Sequence, residues 1–354
     1  MTRFLLFLLT GGLFDVTILS EVVGMELATL KVKGNTETDR NDLVLLGPSF
    51  HFPPSASRDT PFGGFQGDIR SVIGRVHRAI GYRLRTRAPR LCALLSGELP
   101  LRTIPDLSVT RPPMSYAIPN IVYQTWKAPK FGRTHSRLLG EFRALNSDFS
   151  FEFFDDQQLA EDYMLSAYRG HPILEIFKRS CFGPLKVDIW RYCILYERGG
   201  FYCDINKSAL TPLRELVSST TSGLISFERN NFPVGAESRG TSEIQHPGKV
   251  VSNWMFGFER GHPLLAQVIE GIVAKYPLYK GRVVQNPKME ILEFTGPVHF
   301  TQCVHEFAKT HGLSGIQQAG IDFDGRANVD MFGSYVRYTQ RPCYELARKE
   351  VIVT

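Results

Sequence analysis

The segment from Lys186 to Asn206 reads KVDIWRYCILYERGGFYCDIN. Apolar residues recur at helical spacing from Leu185 to Tyr196, and Gly199-Gly200 is a typical helix stop. Phe201 to Cys203 reads as a short strand, which ends in the polar triplet Asp204-Ile205-Asn206. A periodic helix, a glycine turn and a strand predict one unit of an α/β domain.

Two charged residues interrupt the apolar pattern of this helix. Asp188 and Arg191 are three positions apart, so they share one face. Such a pair either fixes the helix as a structural ion pair or acts at a ligand site. Asp204 follows the next strand, and ligands of open α/β sheets bind at the carboxyl ends of strands. An acid-x-polar triplet there can hold a divalent ion that bridges a diphosphate.

Strand and helix patterns alternate on both sides of this segment from Ile118 onward, which predicts a mostly parallel sheet flanked by helices. Further strands are predicted at Ile121–Tyr123, Phe149–Phe154, Leu224–Phe227 and Trp254–Phe258. Further helices are predicted at Arg137–Leu145, Gln157–Ala167 and Pro263–Ala274.

The N-terminal third has a different character. An apolar run from Phe4 to Phe14 is shorter than the roughly 20 residues of a membrane span, so it is either a signal or anchor or a buried strand or helix. Residues 34–117 read as a linker or stem that contains an Arg-rich amphipathic helix at Ile69–Leu84, packed on the main domain or in contact with anionic lipid. The predicted domains are 1–33, 34–117 and a catalytic domain at 118–354.

Composition limits the classes of function. The formal net charge of +6 and a pI of about 9.0 suit an anionic ligand such as a diphosphate, or an anionic membrane surface. The chain has no zinc-finger spacing and no RNP-type segment, so nucleic acid is not expected as a partner. Its six cysteines form no CxxC pair, which argues against a structural zinc site.

Six motifs in order resemble those of one enzyme family. They are Ile118-Pro-Asn-Ile-Val-Tyr-Gln-Thr-Trp-Lys127, the Asp188 to Asp204 segment, Ser208-Ala-Leu-Thr-Pro-Leu213, Ser252-Asn-Trp-Met-Phe256, Gly261-His-Pro263 and Thr295-Gly-Pro297. The chain resembles glycosyltransferase family 32, the DXD sugar-binding relatives of the yeast initiating α-1,6-mannosyltransferase, and more distantly the clostridial glucosylating toxins. The resemblance covers about Ile118 to Phe300.

The resemblance implies a GT-A fold and retaining transfer of a hexose, with mannose favoured. The donor would be a nucleotide-diphosphate sugar, GDP- or UDP-hexose, and the acceptor a glycan or a lipid. Mn²⁺ or Mg²⁺ is the expected cofactor. The family also implies an endomembrane or Golgi enzyme with membrane association through the N-terminal region. A cytoplasmic, membrane-associated protein is the alternative.

The resemblance also implies roles for individual residues. Asp188, Arg191 and Asp204 would be catalytic, with Asp188 and Arg191 on the ribose, sugar hydroxyls or diphosphate and Asp204 facing the ribose and the metal. The expected donor-binding residues are these two together with Gln124, Thr125, Trp126, Asn253 and His299. Core packing is the alternative for Trp126, and a core or capping role is the alternative for Asn253 and His299.

The triplet departs from the family pattern at its third position, where Asn206 replaces the second acid. An amide oxygen lacks the charge that offsets dehydration of a hard cation, so Asp204 and Asn206 should bind metal weakly. Lys207 could supply charge to the leaving diphosphate instead. An inactive, donor-binding relative is therefore the alternative function. A two-metal phosphohydrolase is a third, but the paired metal motifs it needs are absent.

Overall fold

The computed structural model describes residues 8–10, 13–17, 29–33, 97–108, 116–156, 158, 163–229, 243–328 and 347–354. They belong to two compact units, Met1–Pro53 and Pro54–Thr354. In the first unit an antiparallel sheet contains β1 (Leu8–Thr10), β2 (Leu13–Thr17) and β3 (Thr29–Lys33). Part of the N-terminal apolar run thus lies in strands, and its role as a signal or anchor stays a prediction.

The Arg-rich helix predicted at Ile69–Leu84 lies outside the described residues. Within the described ranges, no helix is both long enough and apolar enough to cross a membrane.

A six-stranded sheet organises the second unit. Short strands outside it form pairs, β4 (Arg102–Thr103) with β6 (Lys130–Phe131), β9 (Ser208–Ala209) with β14 (Ala327–Asn328), and β12 (Val283–Val284) with β15 (Glu350–Val351). The strands of the main sheet are β5 (Ile121–Thr125), β7 (Ser150–Phe154), β8 (Gly200–Cys203), β10 (Gly223–Phe227), β11 (Met255–Phe258) and β13 (Ile316–Ile321).

Their order across the sheet is β13-β10-β11-β8-β5-β7. Only β11 runs antiparallel to its two neighbours, and the other pairings are parallel. The predicted α/β class, a mostly parallel sheet flanked by helices as expected for a GT-A fold, is confirmed.

Helices cover the sheet and form a large apolar core with it. The described helices are α1 (Arg133–Leu145), α2 (Leu165–Ala167), α3 (Pro172–Arg179), α4 (Gly183–Arg198), α5 (Pro263–Tyr279), α6 (Pro287–Phe294) and α7 (Pro297–His311), with a 3₁₀ helix at Leu213–Leu216. α4 packs against α3, α5 and the sheet, and α5 packs against α7. A helix that is apolar on most sides must be enclosed, and α4 is such a helix.

The turn that follows α4 requires two glycines. Gly199 has φ +66° and Gly200 has φ +109°, which are left-handed conformations that residues with a Cβ rarely adopt. A Cβ on Gly199 would also lie 2.7 Å from the backbone nitrogen of Arg260. The helix therefore ends where the sequence predicts, and β8 begins at once.

The predicted elements agree with the structure better in kind than in length. The helices predicted at Arg137–Leu145, Leu185–Tyr196 and Pro263–Ala274 correspond to α1, α4 and α5, and each is longer than predicted. Of the helix predicted at Gln157–Ala167, the described residues contain α2 and, before it, residues 158, 163 and 164 in π-helical conformation. The sequence patterns did not predict α3, α6, α7 or β13.

Residues 97–107, which lie before the predicted start of the catalytic domain at residue 118, pack on its first helix and on β7. Glu98 accepts hydrogen bonds from Thr134 N at 2.9 Å and from Thr134 Oγ1 at 2.5 Å, so it caps the N-terminus of α1. Asp106 Oδ1 accepts from Phe153 N at 2.8 Å, and Leu107 forms a bridge with Phe151. Residues 97–107 therefore accept hydrogen bonds from the first turn of α1 and from β7.

Glu98→Ala should lower the free energy of unfolding by about 1–2 kcal/mol, because it leaves the first turn of α1 uncapped. Glu141→Ala is the matched control, since Glu141 pairs with Arg137 on the exposed surface of the same helix and should cost a few tenths of a kcal/mol. Thermal or urea unfolding of the three proteins measures the difference. Equal losses in both variants would show that the Glu98 cap adds nothing.

Candidate functional site

The side of the sheet at which the parallel strands end, the ligand edge, is where α/β proteins bind their ligands. The carboxyl ends of the parallel strands β5, β7, β8 and β10 lie there, and β11 begins there because it runs in the opposite direction. Asp204, after β8, donates its backbone N–H to the carbonyl of Trp254, before β11, at 2.7 Å. The predicted residues Asp204 and Asn253 therefore lie on neighbouring strand ends.

Three charged side chains form a cluster at this edge. Nη2 of Arg191 is 3.4 Å from Oδ1 of Asp188 and 3.5 Å from Oδ1 of Asp204. The side chains of Arg191 and Asp188 are 7% and 8% exposed, whereas that of Asp204 is 30% exposed. The structure thus brings together three residues that the sequence singled out separately, and Asp204 is the one that faces solvent.

Asp188 has its hydrogen-bonding capacity largely satisfied by neutral donors. Asn253 Nδ2 donates to its Oδ1 at 3.1 Å, and Thr295 Oγ1 donates to its Oδ2 at 3.1 Å. Arg191 Nη1 also donates to the backbone carbonyl of Asn253. Thr295 was part of a recognised motif but was not predicted as a site residue, because its contact with Asp188 spans more than a hundred positions of the chain.

Burial and charge act in opposite directions on these groups. Burial raises the pKa of the Asp188 carboxyl to about 6, and the Arg191 cation limits that rise. Asp188 is therefore ionised at neutral pH. Burial by itself lowers the pKa of the Arg191 guanidinium, but its acidic neighbours outweigh burial, so the pKa lies above its usual value. The pair stays charged in the folded protein.

Tyr202 orients the carboxylate of Asp204. Its hydroxyl donates to Asp204 Oδ1 at 2.5 Å, and the Arg191 guanidinium lies 4.3 Å from the centre of the Tyr202 ring. Burial raises the pKa of Tyr202 well above its usual value, so the hydroxyl keeps the proton that it donates. Oδ1 of Asp204 is thereby occupied, and within the described ranges Oδ2 accepts no hydrogen bond.

The triplet itself forms a tight turn. Lys207 N donates to the Asp204 carbonyl at 2.9 Å, which places Ile205 and Asn206 at the centre of a β-turn. The ring nitrogen Nε2 of His135, on α1, donates to the Ile205 carbonyl at 2.8 Å. Ile205 is buried and Asn206 is half-buried. The hydrogen bond to Ile205 therefore holds the turn, while Asn206 is partly exposed to solvent.

The residues of the triplet suit a partial metal site. Oδ2 of Asp204 is a carboxylate oxygen without a protein partner among the described residues, and the Asn206 amide is two positions away. No group of three His, Cys, Asp or Glu side chains able to hold a metal occurs among those residues. A divalent ion held here would therefore need further oxygen ligands from a bound phosphate or from water, a common situation for Mg²⁺.

Of the residues predicted to line a nucleoside pocket, Gln124 is the most informative. It is fully buried at the end of β5, and neither its amide nitrogen nor its amide oxygen has a hydrogen-bond partner in the described structure. Buried polar groups are nearly always paired, so this amide is an exception within the described part of the chain. Thr125 Oγ1 instead donates to the carbonyl of Phe154 at 2.7 Å, and Trp126 is half-buried against the apolar cluster that contains Ile205.

His299 has contacts of a different kind. Its Nε2 lies 2.9 Å from the Val268 carbonyl, and its Nδ1 lies 3.0 Å from Nζ of Lys275, both on α5. These contacts join α7 to α5, and none of the hydrogen bonds of His299 reaches the Asp188 cluster. The donor-binding role of His299 stays a prediction without support from its contacts.

The middle of the chain is similar in sequence to a known protein family. Residues 132–222 match the family described as "Glycosyltransferase sugar-binding region containing DXD motif". The predicted family resemblance is confirmed. The matched residues include Asp188, Arg191 and the Asp204 triplet, whereas Gln124, Asn253 and His299 lie outside them.

Fungal glycosyltransferases are among the similar sequences. Initiation-specific alpha-1,6-mannosyltransferase of Candida albicans is 27% identical over 229 residues, which is 58% of this chain and 59% of that protein. The Saccharomyces cerevisiae protein of the same name is 27% identical over 215 residues, 51% of this chain and 43% of that protein. Inositol phosphoceramide mannosyltransferase 3 of Schizosaccharomyces pombe is 26% identical over 164 residues, 45% and 38% of the two chains.

The matches thus span less than two thirds of each of these glycosyltransferases. Among solved structures, PaToxG glycosyltransferase is similar with a TM-score of 0.40 and 14% identity, over 70% of this chain and 82% of that one.

The anchor of the triplet turn predicts a pH dependence of stability. Burial lowers the pKa of His135 from its usual value of 6.5 to about 4. Protonation would add an N–H at Nδ1, which is buried without a partner among the described residues. Between these two pH values the unfolded chain binds more protons than the folded one. The contribution of His135 is therefore complete above pH 6.5 and is lost as the pH falls toward 4.

His135→Phe keeps a ring against Phe131 but cannot titrate. We expect this variant to be less stable at pH 7, by about 1 kcal/mol for the lost hydrogen bond to Ile205. We also expect its stability to fall less steeply than that of the wild type between pH 6.5 and 4. Urea unfolding across this range measures both effects, and parallel curves would contradict the role given to His135.

Proposed function

We propose that this chain is a retaining hexosyltransferase that moves a hexose, with mannose favoured, from a GDP- or UDP-sugar to a glycan or glycolipid acceptor. The observation that carries the proposal is the open oxygen of Asp204 beside the buried Asp188–Arg191 pair, at the strand edge where α/β proteins bind nucleotides. The similar fungal proteins named above are mannosyltransferases, which supports the choice of mannose.

Each residue of the cluster has a distinct part in the proposal. Asp188 and Arg191 bind the ribose, the sugar hydroxyls or the diphosphate of the donor, and Asp204 faces the ribose and the metal. Gln124 offers its unpartnered amide to the nucleoside, near Thr125 and Trp126. A divalent ion on Asp204 and Asn206, Mn²⁺ or Mg²⁺, supplies positive charge that stabilises the leaving diphosphate when it is bound.

The chemistry needs no covalent protein intermediate. The bond between the anomeric carbon and the diphosphate oxygen breaks, and the acceptor oxygen bonds to the same face of that carbon. The acceptor's proton passes to the leaving phosphate. Positive charge develops on the sugar during this step and negative charge on the phosphate, so a fixed cation such as Arg191 stabilises the product side.

Asn206 supports a second candidate, an inactive relative that binds the donor without turnover. An amide in place of the second carboxylate weakens the hold on a hard cation. Donor hydrolysis with a panel of GDP- and UDP-hexoses in the presence of manganese separates the two candidates. Hydrolysis of one donor supports the enzyme, whereas binding without hydrolysis supports the inactive relative.

Location is also part of the proposal. The family resemblance supports membrane association through the N-terminal region and an endomembrane or Golgi position, and one of the similar fungal proteins is an inositol phosphoceramide mannosyltransferase.

Asp188→Asn should reduce kcat/KM for sugar transfer by about a hundredfold or more, because it removes a buried charge at the donor while keeping the shape of the side chain. Asp148→Asn is the control, since Asp148 pairs with Arg214 before β7, at the opposite edge of the sheet. Both variants should retain a cooperative melt. Loss of the melt in Asp188→Asn alone would mean that the pair is structural only.

Asn206→Asp should lower the manganese concentration needed for half-maximal donor hydrolysis, since the added carboxylate acts directly on the ion. Asp204→Asn should abolish metal-dependent donor hydrolysis, because it removes the one carboxylate of the triplet. Manganese titration of both variants measures the effect. An unchanged metal requirement in Asn206→Asp would show that this position does not coordinate the ion.

A further inference from the structure

The turn that carries the candidate metal ligands also carries a lysine. Lys207 closes the turn by donating its backbone N–H to the Asp204 carbonyl, and its Nζ lies 5.3 Å from the centre of the Trp254 ring. A cation over an indole face is held there by the charge distribution of the ring. Backbone and side chain therefore both keep Lys207 beside Asp204.

Trp254 is a rigid support for this cation. It is 7% exposed, its carbonyl accepts the Asp204 N–H, and its ring packs edge-to-face on Phe323 at 5.6 Å. Phe323 in turn donates its N–H to Ser226 Oγ at 2.9 Å. Because the ring is fixed by its neighbours, the ammonium it holds has a defined position at the strand edge.

The chain after the lysine is fixed as well. Ser208 pairs with Asn328 in the short ladder of β9 and β14, and Leu210 N donates to the Arg326 carbonyl at 2.6 Å. The turn from Asp204 to Lys207 is thus held at both ends, by β11 on one side and by β14 on the other. Lys207 therefore lies in a turn that backbone hydrogen bonds hold on both sides.

Among the described residues, the charged side chains of the Asp188 cluster and of the triplet turn, taken together, sum to zero. Asp188 and Asp204 contribute two negative charges, and Arg191 and Lys207 contribute two positive charges. A carboxylate at position 206 would make the sum −1. A neutral set attracts a divalent cation less strongly than a negative one, and it accepts an anionic phosphate more readily.

We propose that Lys207 binds the diphosphate of the donor. A second carboxylate at position 206 would hold a metal ion whose positive charge offsets the diphosphate. Here the ammonium of Lys207 supplies part of that positive charge. The donor diphosphate then binds without metal, and a divalent ion adds little to its affinity. This inference rests on the proposed donor site, and it names the phosphate-binding residue there.

Isothermal titration calorimetry on the full chain tests the inference with UDP and GDP, each in a chelator and in manganese. Wild-type protein should bind one of them in the chelator. Lys207→Ala should weaken that binding by about tenfold or more, because it removes a hydrogen bond to a charged group, whereas Lys207→Arg should retain most of the affinity. Lys280→Ala is the matched control, since Lys280 also lies over a ring, 5.8 Å from Tyr276, away from the site.

Uridine and guanosine separate phosphate binding from local damage. Affinity for the nucleoside should be unchanged in Lys207→Ala, since the nucleoside lacks the phosphates. Asn206→Asp combined with Lys207→Ala should bind the diphosphate only when manganese is present, because this pair of changes makes the cluster negative.

Two results would overturn the inference while leaving the donor site intact. One is wild-type affinity for the diphosphate in Lys207→Ala under chelation, and the other is an equal loss for nucleoside and diphosphate. Failure of the wild type to bind UDP, GDP and both nucleosides would instead refute the donor site itself, and the inference with it.

Discussion

The buried guanidinium of Arg191 is the constraint on which the rest of the site depends. A charge in the protein interior is costly unless acceptors surround it, and removing one of them leaves the charge uncompensated. The acceptors come from three parts of the fold, Asp188 on α4, Asp204 after β8 and the Asn253 carbonyl before β11. Satisfying one cation thus fixes how a helix and two strand ends approach one another.

This arrangement shows why the structural and functional readings of the pair are not exclusive. Asp188 is enclosed and holds the helix in place, and its partner Arg191 reaches across to a carboxylate that solvent can contact. Tyr202 donates to one oxygen of Asp204, and within the described ranges the other oxygen accepts no hydrogen bond. The hydrogen bonds that hold the cluster together therefore leave the Asp204 side chain partly exposed at a position where strand ends meet.

Local patterns in the sequence predicted what depends on local geometry. The shared face of Asp188 and Arg191 follows from helix spacing, and the glycine stop follows from the φ values that the turn needs. The α/β class follows from the alternation of strand and helix. These inferences required no knowledge of which distant residues meet.

Contacts between distant segments could not be predicted in the same way. Thr295 reaches Asp188 and Lys207 lies over Trp254 only because α6 and β11 fold against α4 and β8. The family resemblance implied a place near the donor for His299, and the contact of its ring with the Val268 carbonyl on α5 could not be read from the sequence.

The direction of β11 has a consequence for how this protein can change over time. Because β11 runs against its neighbours, the chain that enters it, residues 250–254, borders the ligand edge, while the turn that leaves it, Glu259 to His262, lies at the far edge. Insertions and deletions accumulate in connections between elements. A change of length before β11 reshapes the ligand edge, and one after it alters the far edge. Divergence in substrate choice among related chains should therefore be concentrated on one side of this strand.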